Sequence, residues 1–531
     1  MSLSYNSGAG NGIFGLGWSL SLGSIKRKTD KGLPQYIDSI DSDTFLFSEA
    51  EDLVPEFEKN KDGSFVIDSD KEYVINDRPS PDGHFKIRKY IPRIEGLFAR
   101  IERWTENETG RIKWRVITKE KTTTLFGWTD NSIISKPDDP SKIYEWLPEF
   151  VFDDKGNCSQ YLYKKEDATG FDESLLHNRT RIKSGTIAYT NLYLDKVLYG
   201  NKTPYKQFGD AFPIDTDYMF QTVFDYGTTD SINEPFDQIN LWDFRPDAFS
   251  GYKAGFEIRT TRLCKRVLLF HVFQELALKP DKLDKKTLIR SVNFEYDTST
   301  EQDFTFLKSI TAVGYIKKPD GNYSHKKLPP MEFEYQKHDW NKEVKNISSD
   351  DLIHAPAGLD EQQYQFTDLF NEGISGILTE QANGWYYKHN LSDGKFEQAK
   401  LVSPKPSFAG LGHHLQLADL DADGGKQLVS FGTEPRGYFE LDDENEWHGL
   451  RTFNSMPNID FGDANTPLKY IDLINSNKPH IMVSYKNNLG KEVAIEYTPS
   501  TKFYIEDKLA GKPWVTKLHF PVMAAVNASA K

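Results

Sequence analysis

A mainly β fold is predicted by three observations. Short runs of alternating apolar and polar residues recur from the start to about residue 340. Strand-favouring aromatics are abundant, with 35 Phe, 26 Tyr and 10 Trp in 531 residues. From about residue 350 a strand-like pattern returns with a spacing of about 50 residues. Together they imply an antiparallel β domain over 1–345, a partial β-propeller over 346–485 and the start of a further module over 486–531. The length agrees, since about three domains follow from ~150 residues each.

The opening stretch, SLSYNSGAGNGIFGLGWSLSLGS, places Gly10, Gly12 and Gly15 at the G-x-G-x-x-G spacing of nucleotide-binding loops. A phosphate cradle needs a buried strand before the glycines and a helix after them, whose N-terminal N–H groups point at the anion. Here Leu3 and Tyr5 alternate with polar residues before the loop, and Trp18, Leu20 and Leu22 do so after it. Both flanks have period two, so the glycines are expected to link two half-buried strands by positive φ and close backbone approach. Asp460-Phe461-Gly462 spells a kinase triplet, but no H-R-D loop lies upstream.

Within the first domain, EFVFDDKGNCSQYLY shows the local logic. Phe150 and Phe152 alternate into a turn where Gly156 supplies a left-handed residue, and Tyr161 and Tyr163 return, which is a hairpin. In the second region YQFTDLFNEGISGILTE, LQLADLDADGGKQLVSF and LKYIDLINSNKPHIMVSY align without gaps on Asp368, Asp419 and Asp472. The apolar pairs Ile377-Leu378, Leu428-Val429 and Ile481-Met482 follow at one fixed offset. One supersecondary unit is repeated, and a propeller blade fits it best.

A formal net charge of −14 repels polyanions, so nucleic acid and anionic membrane are poor partners. Cys158 and Cys264 are the only cysteines, which excludes a disulfide scaffold or a cysteine-based zinc cluster. No signal-peptide pattern opens the sequence and no apolar run approaches the ~18 residues of a membrane span. Export is therefore expected by a non-classical route.

Several segments, among them the glycine-rich opening, DTFLFSEAEDLVP, DYGTTDSINEP, LWDFRPDAFSGYKAGFEIRTTRLCKRVLLFHVF, LPPMEFEYQ and STKFYIEDKLAGKPWVTKLHFPV, resemble in order the B component of bacterial insecticidal toxin complexes, whose N-terminal part is of the SpvB type. The resemblance implies a non-enzymatic half of a hollow, RHS-like β shell around a toxic segment carried by the C component. Its propeller would dock on the translocating A component. It further implies a secreted protein with a cytoplasmic pool, and a shortened chain, since relatives extend beyond both ends and propellers have at least about four blades. Two alternatives belong to other classes: association with an ADP-ribosyltransferase of the SpvB type, and a calcium-dependent adhesion propeller.

Candidate chemistry is sparse. Asp419, Asp421 and Asp423 alternate along a loop with Gly424 next, the arrangement by which carboxylates converge on Ca²⁺. Position twelve is Ser430, so the loop is not an EF-hand, and an Asx-rich turn is its plain alternative. For a transferase, Thr298-Ser299-Thr300-Glu301 reverses the required Ser-Thr-Ser. The Glu-x-Glu triplets at 49, 332 and 444 are of the kind 79 acidic residues produce by chance. His271, His413 and His414 have no second ligand at a metal spacing. No catalytic residue and no cofactor-binding residue is expected, with Ca²⁺ as the one candidate ion.

Overall fold

The structure is a computed structural model. It describes the chain apart from residues 228–241, 274–285, 298–303, 337–363, 403–414, 421–425, 431–435 and 454–479, and shorter gaps at 31, 49–50, 70, 72, 95, 97, 184–185, 382–383, 393, 419, 443–445, 513, 515–517, 519–521 and 531. Two compact units are present, Met1–Glu334 with Tyr485–Glu492, and Tyr335–Ser484 with Val493–Lys531.

In the first unit Ile25–Arg27, Phe45–Phe47, Glu51–Pro55, Phe85–Pro92, Arg100–Glu106, Ile112–Ile117 and Thr123–Phe126 lie side by side, each antiparallel to the next. Residues 139–152 then join the two ends of this array. Their first strand, Asp139–Trp146, pairs Trp146 with Ile25, and their second, Pro148–Phe152, pairs with Thr123–Phe126. At the bend, the Leu147 carbonyl accepts from the Gly127 N–H at 3.0 Å. Gly127 is at φ +58°, and a Cβ there would overlap the Trp146 ring, so only glycine fits this seam.

The sheet thus wraps around its own inward side chains. Ile112–Ile117 shows the period of two, with Ile112, Trp114 and Val116 buried and the residues between them half-buried. Phe45 meets Trp114 and Trp146 edge-on at 5.0 and 5.7 Å. Charge is buried as well. Arg27 donates to Asp38 (2.8 Å), to Asp43 (2.7 Å) and to the Ile143 carbonyl (2.7 Å), with its guanidinium 4.8 Å from the Tyr36 ring. Arg103 donates to Asp41 at 2.9 Å, and Arg88 to Asp77 and Asp41.

From Pro148–Phe152 the sheet continues through Cys158–Lys165, Leu192–Asn201, Tyr218–Asp225, Arg266–Val272, Lys286–Asp297 and Phe306–Lys317 to Tyr323–Lys327, all antiparallel neighbours. The expected hairpin is here: Phe152 pairs with Cys158, and Gly156 is at φ +87°. The Asp153 carboxylate accepts from the Lys155 and Asn157 N–H groups at 2.9 Å.

The second unit holds two four-stranded antiparallel sheets. One is Tyr364–Thr367, Gly376–Gln381, Gly384–Lys388 and Lys400–Leu401; the other is Leu415–Ala418, Gln427–Ser430, Gly437–Phe439 and Arg451–Thr452. Their registers repeat residue for residue. Tyr364↔Thr379 corresponds to Leu415↔Ser430, and Tyr387↔Lys400 to Tyr438↔Arg451. Each pair is shifted by the 51 residues that separate Asp368 from Asp419. The sheets share one core, in which Leu378, Trp385 and Tyr387 pack with Leu428 and Phe439. Asp472, the anchor of the third repeat, lies outside the described residues. Glu492–Pro499 and Met523–Ala530 pair antiparallel, and between them runs helix α1, Ser500–Leu509, the one α-helix among the described residues.

Candidate functional site

The glycine-rich opening is built as a strand link. Leu3–Tyr5 pairs with Trp18–Leu20, and between them Asn11–Gly12 pairs with Gly15–Leu16. Gly10, Gly15 and Gly17 have positive φ. The segment faces a cation: the Gly12 carbonyl takes a hydrogen bond from Arg245 Nη1 at 2.8 Å, and the Asn11 Oδ1 one from Arg245 Nη2 at 3.0 Å. Arg245, fully buried, also forms a two-pronged pair with Asp247 (Nε–Oδ1 2.8 Å, Nη2–Oδ2 3.0 Å). Asp247 further accepts from Asn11, at 2.9 Å, and from the backbone and hydroxyl of Thr305. Burial pushes the Asp247 carboxyl up, but these hydrogen bonds and the Arg245 charge outweigh it and hold the group well below the usual carboxylate range. A strand follows the glycines and an arginine binds the Gly12 carbonyl, so this segment is a strand link and not a phosphate cradle.

The second polar centre lies in the first four-stranded sheet, in the loop Asp368-Leu369-Phe370-Asn371-Glu372-Gly373, which aligns with Asp419-Leu420-Asp421-Ala422-Asp423-Gly424. Asp368 caps its own loop, its oxygens accepting from the N–H groups of Glu372 (2.8 Å) and Gly373 (2.7 Å). At the position matching Asp421, Phe370 stacks on His389 with ring centroids 5.4 Å apart. At the position matching Asp423, Glu372 is buried and faces three donors. Tyr504 Oη and Lys508 Nζ reach Oε1 at 2.7 Å each, and His389 Nδ1 reaches Oε2 at 2.7 Å. An ammonium only donates, and Lys508 Nζ stands 3.3 Å from the same His389 nitrogen. The Glu372 carboxylate only accepts, so the 2.7 Å contact to it is a hydrogen bond donated by His389 Nδ1–H, and Lys508 spends its own donor on Oε1.

Burial pushes Glu372 up, but the bonds and charge of His389, Lys508 and Tyr504 win and hold it at about 2. The carboxylate thus takes up a proton less readily in the folded state than in the unfolded one. Its stabilisation is full above its ordinary 4.5 and is lost as pH falls toward 2. Urea midpoints measured between pH 7 and 2.5 should fall more shallowly on the acid side for Glu372→Gln than for the wild type. A group so placed remains ionised at neutral pH and is held by Lys508, Tyr504 and His389, which suits anchoring rather than acid–base work.

Asp419, Asp421 and Asp423 all lie outside the described residues, as do His413, His414, residues 298–301 and the triplet at 460–462. Glu332 and Glu334 flank the buried Phe333 on the strand Met331–Tyr335 and face solvent. His271 packs edge-on against Phe220 at 5.2 Å. Cys158 and Cys264 are buried free thiols, and burial raises both. The arginine clusters and the Glu372 centre have no counterpart in the sequence reading. The one hint was the acidic triplet Asp38, Asp41 and Asp43, which meets two of the buried arginines at Asp41 and a third at Asp38 and Asp43.

The family described as "Salmonella virulence plasmid 65kDa B protein" (SpvB) matches residues 1–273, the region holding the opening segment, Arg245 and the wrapped sheet. The chain belongs to the SpvB family. Relatives in it include the "Mono(ADP-ribosyl)transferase SpvB" proteins of Salmonella typhimurium and Salmonella dublin, each 34% identical over 304 residues, which is 56% of this chain and 48% of the relative. This SpvB-family chain spans about half the length of those relatives. Among solved structures it has the fold of part of the Photorhabdus luminescens Tc holotoxin pore (TM-score 0.79, 21% identity) and of the TcdB2–TccC3 complex (0.72, 22%). Both likenesses cover 100% of this chain, with 32% and 33% of the respective neighbour.

Proposed function

We propose that this chain is a non-enzymatic wall and docking component of a secreted bacterial toxin complex, working with an A component that translocates and a C component that carries the cargo. The observation that carries the reading is the fold: the whole length adopts that of about a third of a chain in the Tc holotoxin pore. The polar chemistry is in keeping with it, because Asp247, Glu372 and Glu166 are held by arginine and lysine rather than left free to react. Within this reading, 1–345 forms shell wall, 346–485 a partial propeller and 486–531 the start of a further module.

Co-expression with an RHS-repeat C component and an A component, followed by size-exclusion chromatography with light scattering, tests the proposal. Co-elution of the three is expected. A chain that ignores both and transfers label from NAD to actin would instead support the transferase reading drawn from its SpvB relatives.

We further infer that Asp419, Asp421 and Asp423 take Ca²⁺. Support comes from the first sheet, where Phe370 and Glu372 replace the second and third carboxylates and Lys508 brings the positive charge to Glu372. Three carboxylates without a bidentate closing ligand should bind weakly. Millimolar calcium should raise the thermal midpoint over that in EDTA, and Asp421→Ala should remove the rise. Equal midpoints in the wild type would leave a plain turn.

A further inference from the structure

Helix α1 is attached to the first four-stranded sheet in an unusual way. Of its ten residues only Ser500, Tyr504 and Ile505 are buried. Tyr504 and Lys508, one helical turn apart on the same face, both end on a single oxygen of Glu372. His389 holds the other oxygen, so one buried carboxylate joins helix to sheet.

The helix is also bounded at both ends. Pro499 precedes its first turn in an extended conformation, and Gly511, at φ +76°, follows its last. The flanking strands do not depend on it for their ladder. Glu492–Pro499 pairs directly with Met523–Ala530 from Val493↔Ala530 to Pro499↔Met523, and the Tyr497 hydroxyl donates to the Met482 carbonyl at 2.9 Å. Among the described residues the N-terminal end of the helix is stapled to them through Ser500 N–H to the Val522 carbonyl (2.7 Å) and Val522 N–H to Ser500 Oγ (2.9 Å).

We propose that α1 is a detachable strap, locked onto the first four-stranded sheet by the Glu372 carboxylate and free to swing out from Pro499 while both neighbouring sheets stay folded, carrying with it Trp514, whose Nε1 donates to Asp507 at 2.7 Å and whose ring lies 5.7 Å from that of Tyr504. Sub-global opening favours elements with few buried apolar side chains, and α1 buries two, Tyr504 and Ile505. Its lock is charge-assisted: removing the Lys508 ammonium leaves Glu372 with two donors, and removing the carboxylate charge weakens all three contacts together. Release uncovers Glu372, Tyr504 and Ile505 and leaves the Leu378–Trp385–Leu428 core shut.

Amide hydrogen exchange read by mass spectrometry on the full chain tests this. In Glu372→Gln and in Lys508→Met, peptides covering 500–510 should exchange about tenfold faster, with peptides covering 376–388 unchanged. Lys502→Met, on the exposed side of the same helix, should leave both unchanged. Acceleration of 376–388 together with 500–510, or no acceleration of 500–510 in either lock variant, overturns the strap. If Glu372→Gln fails to fold, wild-type exchange in rising urea decides. Amides of α1 should open at lower urea than those of 376–388, and a common opening point overturns the proposal.

Discussion

Replacing Arg262 by methionine is expected to cost about 3–5 kcal/mol, the largest loss from any single truncation considered. Arg262 is buried and spends its guanidinium on five acceptors: Glu166 (3.0 Å), the Asp167 carboxylate (2.8 Å), and the backbone carbonyls of Asp167, Thr169 and Trp242. Methionine fills much of the volume but leaves Glu166, itself buried, without its cation. The Tyr193 hydroxyl still donates to that carboxylate at 2.5 Å, which softens the loss without neutralising the charge. Urea unfolding followed by tryptophan fluorescence should show a lower midpoint at similar slope. Adding Glu166→Leu should recover part of it, because the stranded charge goes too. A cost under about 1 kcal/mol would mean that the pair is solvated in solution and the burial argument is wrong.

Gly15→Ala is expected to cost on the order of 3 kcal/mol, from two separable sources. Gly15 is at φ +87°, and a Cβ there would stand 2.7 Å from the Thr305 carbonyl oxygen, which already accepts from Leu16 N–H at 2.9 Å. Gly63 has almost the same φ, +88°, with nothing within 4 Å of the added atom. Gly63→Ala should therefore show the conformational share alone, roughly 1–2 kcal/mol. The difference in urea midpoint between the two variants measures how tightly the opening is pressed onto Thr305. Equal costs would show that the contact yields freely.

That opening shows what a sequence can and cannot disclose. Its flanks alternate with period two, and period two is a local property, so the strands Leu3–Tyr5 and Trp18–Leu20 could be anticipated, as could the hairpin around Gly156. The repeat was legible for the same reason, and its offset carries through the paired strands of both four-stranded sheets. Arg245 was not, because it meets Asn11 across 234 residues and nothing near either position announces the other. Arg27 and Arg103 were hidden differently. Within an alternating strand an arginine reads as outward-facing, and only tertiary pairing with Asp38, Asp41 and Asp43 lets it point inward. Glu372 was hidden by distance. Its partner Lys508 comes from 136 residues later, which no spacing rule reaches.

The strand pair from Asp139 to Phe152 bears on how such a chain is made. It touches Ile25 on one side and Phe126 on the other, so the wrapped sheet cannot close until residue 152 is available. On a ribosome emitting ~5–20 residues per second, the preceding strands wait several seconds, side by side but open along one seam. During that interval the core around Phe45, Trp114 and Phe126 is incompletely covered, and one edge each of Ile25–Arg27 and Thr123–Phe126 lacks its partner strand. Closure then happens in one late step joining residues more than a hundred positions apart, the kind of contact that folds slowly. The nascent chain is accordingly most open to capture by a chaperone, or by a neighbouring copy, just before Pro148 emerges.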